Sequence, residues 1–188
     1  MKVFVLSLFL LASLSFAQHT MNMNQPKTMT MSAGSLDTLE GEAFETAFIS
    51  GMIAHHQGAI EMANWILERS QLPGIISSAN QIIAAQEPEI KLMQSWLDEW
   101  YGGKTDNEAT QMMQADMQMM MTAMNSNENA DRAFLAEMSL HHNSAIDMAQ
   151  LALLKATHPK LRELAKNIIR NQAEEIAGYQ EMLEALAR

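Results

Sequence analysis

The stretch Met52-Ile53-Ala54-His55-His56-Gln57-Gly58-Ala59-Ile60-Glu61-Met62-Ala63 returns 86 residues later as Met138-Ser139-Leu140-His141-His142-Asn143-Ser144-Ala145-Ile146-Asp147-Met148-Ala149. Met, His, His, Ala, Ile, Met and Ala hold the same places in both copies. At about 100° per residue, Met52, His55 and His56 share one face of a helix, and Ala59, Met62 and Ala63 prolong that stripe. Two thioethers and two imidazoles on one stripe form a soft ligand set, and the chain carries it twice.

The repeat outruns the motif. Residues 44–101 slide onto 130–187 without a gap and give 19 identities in 58 positions, among them Pro73/Pro159, Ile82-Ile83/Ile168-Ile169, Gln86/Gln172 and Glu89-Ile90/Glu175-Ile176. The register holds through a second block some twenty residues beyond the first, which indicates duplication of a two-helix unit. Each hairpin alone would expose its apolar face. The expected fold is therefore all-α: an antiparallel four-helix bundle built from the duplicated hairpin over 37–188, with repeat 1 at 44–101 and repeat 2 at 130–187.

Local signals set the expected boundaries. Asp37 followed by Glu40 resembles a capping box and starts the first helix near Thr38. Leu72-Pro73-Gly74 and Thr157-His158-Pro159 are turns, with each proline in the first turn of the next helix. Pro88 inside the second helix removes a backbone donor and predicts a kink over 84–87. Between the copies, 105–126 reads as a helical insert with seven methionines in thirteen residues: Met112, Met113, Met117, Met119, Met120, Met121 and Met124. Met113, Met117, Met120 and Met124 fit one face. Two readings stay open for it, adaptable packing on the bundle or a methionine-rich soft-metal site.

Lys2, the apolar run 3–14 and Ser15-Phe16-Ala17 make residues 1–17 an expected secretory signal peptide. Its removal takes the formal charge from −10 to −11, because Lys2 is the only charged residue lost. Such an acidic chain has nothing to neutralise a row of phosphates, which excludes nucleic acid as partner. No other stretch is apolar enough to span a membrane, so the mature chain is expected to be exported, periplasmic or secreted. Residues 18–36 read as a disordered tail that still holds His19, Met21 and Met23. There is no cysteine, so soft-metal binding in an exported compartment falls to Met and His.

The principal candidate ligands are therefore His55, His56, His141, His142, Met52, Met62, Met138 and Met148. Glu45 and Asp131, two turns or more before the histidine pairs, are weaker candidates, as are His19, Met21, Met23, Met112, Met113, Met117, Met120, Met121 and Met124. Ferritin-like di-iron bundles place Glu three residues before His, and none of the six histidines here has that neighbour. His-Glu-x-x-His is absent as well, which disfavours a zinc protease. Thioether with imidazole and no thiolate suits copper, Cu(I) first with Ag(I) as its mimic, and Cu(II) through the imidazoles. The structural alternative makes the same groups a polar core network, with Gln86, Glu89, Gln172 and Glu175 as hydrogen-bond partners.

These residues carry a resemblance. Glu45/Asp131, Phe48/Phe134, Met52/Met138, the His-His pairs, Ala59-Ile60/Ala145-Ile146, Met62-Ala63/Met148-Ala149 and Gln86…Glu89-Ile90/Gln172…Glu175-Ile176 together resemble an exported His-His-motif family. It was long known as a domain of unknown function, has a ferritin-like bundle, and includes the CopM-like periplasmic copper-binding proteins. The resemblance covers nearly all of 40–187. It implies copper sequestration or carriage and copper tolerance in the envelope, with metal ions and another envelope copper protein as partners. Departures are Glu45 where Asp is usual, and Ser139-Leu140 and Asn143-Ser144 in the second copy. No nucleophile–base pair or phosphate loop points to an enzyme. A copper-dependent oxidoreductase and a metal-free structural or interaction bundle are the alternatives.

Overall fold

The computed structural model describes residues 36–188, and the expectations for 1–17 and for His19, Met21 and Met23 lie outside those residues. Five helices follow in order: α1 Gly41–Leu67, α2 Pro73–Tyr101, α3 Asn107–Ser126, α4 Ala130–Lys155 and α5 Pro159–Ala185. Among the described residues there is no strand, and no helix is long and apolar enough to cross a membrane. The short α1–α2 and α4–α5 turns make each pair an antiparallel hairpin, as the duplication predicts. The two hairpins meet through α1 and α4, and α3 lies across both of these.

The start of α1 corrects the capping-box reading. Leu36 and Asp37 are helical but are followed by a break, and α1 begins only at Gly41, with Glu40 at the N-cap and no side chain capping it. Gly41 has a φ of 57°, a left-handed conformation that breaks the helix where a side chain would be strained. Asp37 and Glu40 turn to Lys155 instead. Its ammonium donates to the Leu39 carbonyl at 3.1 Å and to Glu40 Oε1 at 2.9 Å, holding the entry to α1 against the end of α4. Leu36, placed in the tail by the sequence reading, is buried in the core.

α2 passes through Pro88 without interruption. Pro88 and Ala84 are both exposed, so water can serve the carbonyl that loses its helical donor. The insert is a full helix and part of the core. Asp106 caps it by accepting from Ala109 N at 2.8 Å, and Asp106 N donates to Ser50 Oγ on α1 at 2.9 Å. At its far end Trp65 of α1 donates to Asn125 Oδ1 at 2.9 Å. Met113, Met117, Met120 and Met124 face inward and are buried, as their helical spacing predicts. Met119 is half exposed.

Buried apolar residues fall into two clusters, one at each end of the bundle. The first gathers Phe44, Phe48, Ile49, Met52, Leu97, Met148, Leu161 and Ile168, with Met113 from the insert. The second gathers Met62, Ile66, Ile82, Phe134, Met138 and Tyr179, with Met117, Met120 and Met124. Between them lies a polar layer made of His55, His56, His141, His142, Gln86 and Gln172.

A second buried polar cluster locks the α4–α5 turn to α1. The Glu45 carboxylate, 1% exposed, accepts from Thr157 Oγ1 and His158 N, each at 3.0 Å, and from His158 Nδ1 at 2.6 Å. Thr157 N and the Tyr101 hydroxyl also donate to it. His158 stacks on Trp100 with ring centroids 4.0 Å apart. Burial alone would raise the Glu45 pKa, but the hydrogen bonds from Tyr101, His158 and Thr157 outweigh it and bring the value down to about 2. A pKa depressed by folding gives stability above the unfolded value of 4.5 that is lost as pH falls towards 2. Glu45→Gln is expected to lower stability at pH 7 by about 2–3 kcal/mol, the cost of weakening charged hydrogen bonds in a buried site. In thermal melts followed by circular dichroism, the gap between parent and variant should close between pH 4.5 and 2. A gap unchanged over that range would contradict the assignment.

Candidate metal centre

The polar layer is a consequence of helix geometry. His55 and His56 sit mid-way along α1, and His141 and His142 mid-way along α4, where these two helices cross. Each pair spans adjacent positions, so one ring points across the crossing and the other towards its own hairpin partner. His55 and His141 meet at the crossing with ring centroids 3.7 Å apart. His56 turns to α2 and His142 to α5.

All four rings are held from the same edge. His56 Nε2 donates to Glu89 Oε2 and His142 Nε2 to Glu175 Oε2, each at 2.7 Å. The equal distances, at equal spacing in the two copies, show that the duplication reaches the site. His55 Nε2 lies 3.1 Å from the His141 carbonyl and 2.8 Å from Ser144 Oγ. A carbonyl oxygen only accepts, so His55 carries its proton on Nε2. The backbone of His55 makes the return contact to the His141 ring. Nδ1 of His55, His56, His141 and His142 is then buried in every ring without a hydrogen-bond partner.

Burial lowers the pKa of His55 far below its usual value, and the neighbouring His56 and His142 add to the shift. Burial does the same to His141, helped by His55, His142 and His56. The central pair is therefore neutral at physiological pH, the state in which an imidazole can ligate. A neutral ring that gives its Nε2 proton to oxygen presents a lone pair at Nδ1, the usual arrangement of a metal-bound histidine and its outer partner.

The thioethers flank this layer in matched pairs. Met52 and Met148 lie in the cluster on one side, Met62 and Met138 in the cluster on the other, all four fully buried. Among the described residues no three His, Asp or Glu side chains converge as a ready cage. A metal held here would thus need sulfur beside imidazole nitrogen.

The structure keeps the two carboxylate candidates away from the histidines. Glu45 and Asp131 lie ten residues before His55 and His141, about 15 Å along each helix. Glu45 is fully engaged with Tyr101, Thr157 and His158. Asp131 Oδ1 is buried without a partner near the start of α4. Of the insert methionines, Met117 comes close to α1 at Gly58, where a Cβ would stand 2.8 Å from its sulfur and 3.4 Å from His141 Nε2. Met113, Met120 and Met124 fill the apolar clusters, while Met112 and Met121 are partly buried at their edges. Sequence reasoning missed Ser144 and also Tyr179, whose hydroxyl lies 3.4 Å from His142 Nε2. Each could have been found as a polar replacement at a repeat position, Ser144 for Gly58 and Tyr179 for Met93.

Residues 13–97 and 45–183 both match the family described as a domain of unknown function, DUF305, and the chain belongs to that family. Among solved structures it is similar to CopM in its Cu(I)-bound form, with 30% identity, a TM-score of 0.66, and coverage of 76% of this chain and 96% of that one. The Cu(II)-bound form of CopM aligns at 29% identity and a TM-score of 0.64, covering 76% and 97% of the two chains. A DUF305 fragment from Deinococcus radiodurans aligns at 28% identity and a TM-score of 0.62, covering 78% and 99%. A curated relative, the uncharacterized protein L153 of Acanthamoeba polyphaga mimivirus, is 46% identical over 52 residues, 28% of this chain. That match spans about a third (34%) of the relative's length.

The neutral central pair has a measurable consequence in the metal-free protein. Because folding depresses the pKa of His55 and His141, the unfolded chain binds more protons below about pH 6.5, and stability falls as pH drops through that value. Two such groups give a slope of up to about 2.7 kcal/mol per pH unit. Urea unfolding of the metal-free protein between pH 7 and 5 should show this fall, and replacing His55 and His141 with Gln should flatten it. Equal slopes in parent and variant would mean that the two rings are not buried neutral.

Proposed function

We propose that this DUF305 protein binds copper through its two Met-x-x-His-His motifs and sequesters or carries Cu(I), with Cu(II) accepted through the imidazoles. The observation that carries the reading is the set of four buried imidazoles, each tied to oxygen at one nitrogen and left bare at the other. A purely structural core has little reason to keep four such nitrogens, since each buried unpaired polar atom costs about 1–3 kcal/mol. Apolar residues of the same size would fill the layer at lower cost. As ligands, the four nitrogens gain what packing denies them.

The flanking sulfurs favour copper over harder metals. Thioethers bind Cu(I) well and bind zinc, magnesium or calcium poorly. Similarity to CopM, which is known in Cu(I)-, Cu(II)- and Ag-bound forms, supports the same metal here. Met52, Met62, Met138 and Met148 are the proposed sulfur donors, with Glu89 and Glu175 orienting His56 and His142. The leader-like residues 1–17 support export, and the resemblance to CopM-like periplasmic copper-binding proteins supports a role in copper tolerance. Copper that escapes thiol ligands in an oxidising compartment needs an alternative soft ligand set, and this layer is one.

The test is direct. Replacing His55, His56, His141 and His142 with Gln, which keeps volume and polarity close, should remove tight copper binding while far-UV circular dichroism stays helical. Anaerobic Cu(I) titration against a colorimetric chelator, with total metal analysis, measures the loss. Undiminished stoichiometry and affinity in the helical variant would refute the assignment.

A further inference from the structure

The end of α2 carries an aromatic group that the second copy lacks. Trp96, Trp100 and Tyr101 stand where the repeat has Met182, Leu186 and Ala187. Aliphatic side chains suffice at the equivalent end of α5, so packing alone does not call for three aromatic rings here. Trp96 and Trp100 stack with centroids 4.9 Å apart and planes 12° from parallel. Trp100 meets Tyr101 edge-on at 6.3 Å and lies flat on His158 at 4.0 Å. Trp96 is buried in the cluster that holds Met52, Met93, Met113 and Met148, while Trp100 and Tyr101 are only partly buried. The rings therefore run in a continuous line from a methionine-rich core to the surface.

The outer end of that line can give up a proton. The Tyr101 hydroxyl donates to the buried Glu45 carboxylate and lies 3.2 Å from His158 Nδ1. Glu45 is held ionised, its pKa brought down to about 2, while burial and the same carboxylate raise that of the Tyr101 phenol. At rest the pair is a neutral phenol beside a carboxylate. Loss of an electron reverses the preference, because an oxidised phenol is a far stronger acid than any carboxylic acid. The proton then crosses one existing hydrogen bond and stays inside the cluster. Tyr179, the chain's other tyrosine, packs instead on the rings of Phe134 and His142.

We propose that Trp96, Trp100 and Tyr101 form a one-electron relay that draws oxidising equivalents out of the methionine-rich core and leaves them on the Tyr101 phenol, with Glu45 taking the proton. The oxidant is a radical of the hydroxyl class. It takes one electron from a core thioether and becomes hydroxide. Trp96 refills the thioether, Trp100 refills Trp96, and Tyr101 refills Trp100. The Tyr101 O–H bond breaks, an O–H bond forms on Glu45, and a neutral tyrosyl radical remains. In sum, hydroxyl radical, phenol and carboxylate become hydroxide, tyrosyl radical and carboxylic acid. Without the relay the oxidised thioether goes on to sulfoxide, a polar group where the core needs an apolar one. The relay needs no metal and stands apart from the copper-binding reading.

The test is pulse radiolysis of the metal-free full chain with the azide radical, which oxidises indole first. In the parent the indolyl absorption should decay as the phenoxyl absorption grows, at a rate independent of protein concentration. Y101F, which keeps Tyr179, should abolish that growth, and W100F should slow it. W65F, which removes the tryptophan bonded to Asn125 at the other end of the bundle, should leave it intact. Growth at the parent rate in Y101F, or a rate that scales with concentration, would overturn the relay. Hydroxyl radicals from steady radiolysis then probe its purpose. At equal dose, peptide mass spectrometry should find more sulfoxide at Met52, Met93 and Met148 in Y101F than in the parent, and equal sulfoxide would overturn the protective role. Should Y101F lose its helical signal in circular dichroism, W100F, which leaves the Tyr101–Glu45 bond in place, decides both readouts.

Discussion

Four imidazoles buried between two apolar clusters constrain everything else in this bundle. A histidine inside a protein must either keep a hydrogen-bond partner at each nitrogen or give up stability. Here each ring has a partner at one nitrogen only, and those partners are spread over four helices: the α1 backbone for His141, the α4 backbone and Ser144 for His55, Glu89 on α2 for His56 and Glu175 on α5 for His142. The helices cannot slide past one another without breaking several of these bonds. The polar layer thus fixes the register of α1 against α4 and of each against its hairpin partner. Two clusters of Met, Ile, Phe and Ala would not do so alone, because such side chains repack readily.

The repeat explains why the layer is nearly symmetric, and its exceptions show where the halves have separated. His56–Glu89 and His142–Glu175 are the same bond made twice. Gly58 and Ser144, Met93 and Tyr179, and Glu45 and Asp131 are places where the copies part. Glu45 has become an anchor for the α4–α5 turn, whereas Asp131, a methylene shorter, leaves one buried oxygen without a partner. Residues that began as equivalents now do different work. The first half carries the lock; the second carries the serine and the tyrosine beside its histidine.

The helices and the histidine layer were legible in the sequence because periodicity and duplication report directly on burial. The stripe at Met52, His55, His56, Met62 needs only helical geometry to become a buried face, and it did. Three features were not legible. The false start of α1 depended on Lys155, 115 residues away from Glu40, pulling the acidic side chains out of their capping role. The engagement of Glu45 depended on Tyr101 and His158, which meet only when the two hairpins dock. The bare Nδ1 atoms depended on which nitrogen each ring gives to its partner, a matter of three-dimensional placement that spacing does not encode.

The insert helix bears on the old choice between packing and chemistry for methionine-rich segments. Met113, Met120 and Met124 are buried among apolar residues, so adaptable packing accounts for them. Met117 is about as buried as they are, and its sulfur takes the space that a side chain at position 58 would fill. Any larger residue at 58 would push the thioether away. The placing of Met117 is therefore set less by methionine itself than by the missing side chain opposite. Leucine would fill the same volume at little cost in stability, but it would put a hydrocarbon where the thioether now lies against Gly58.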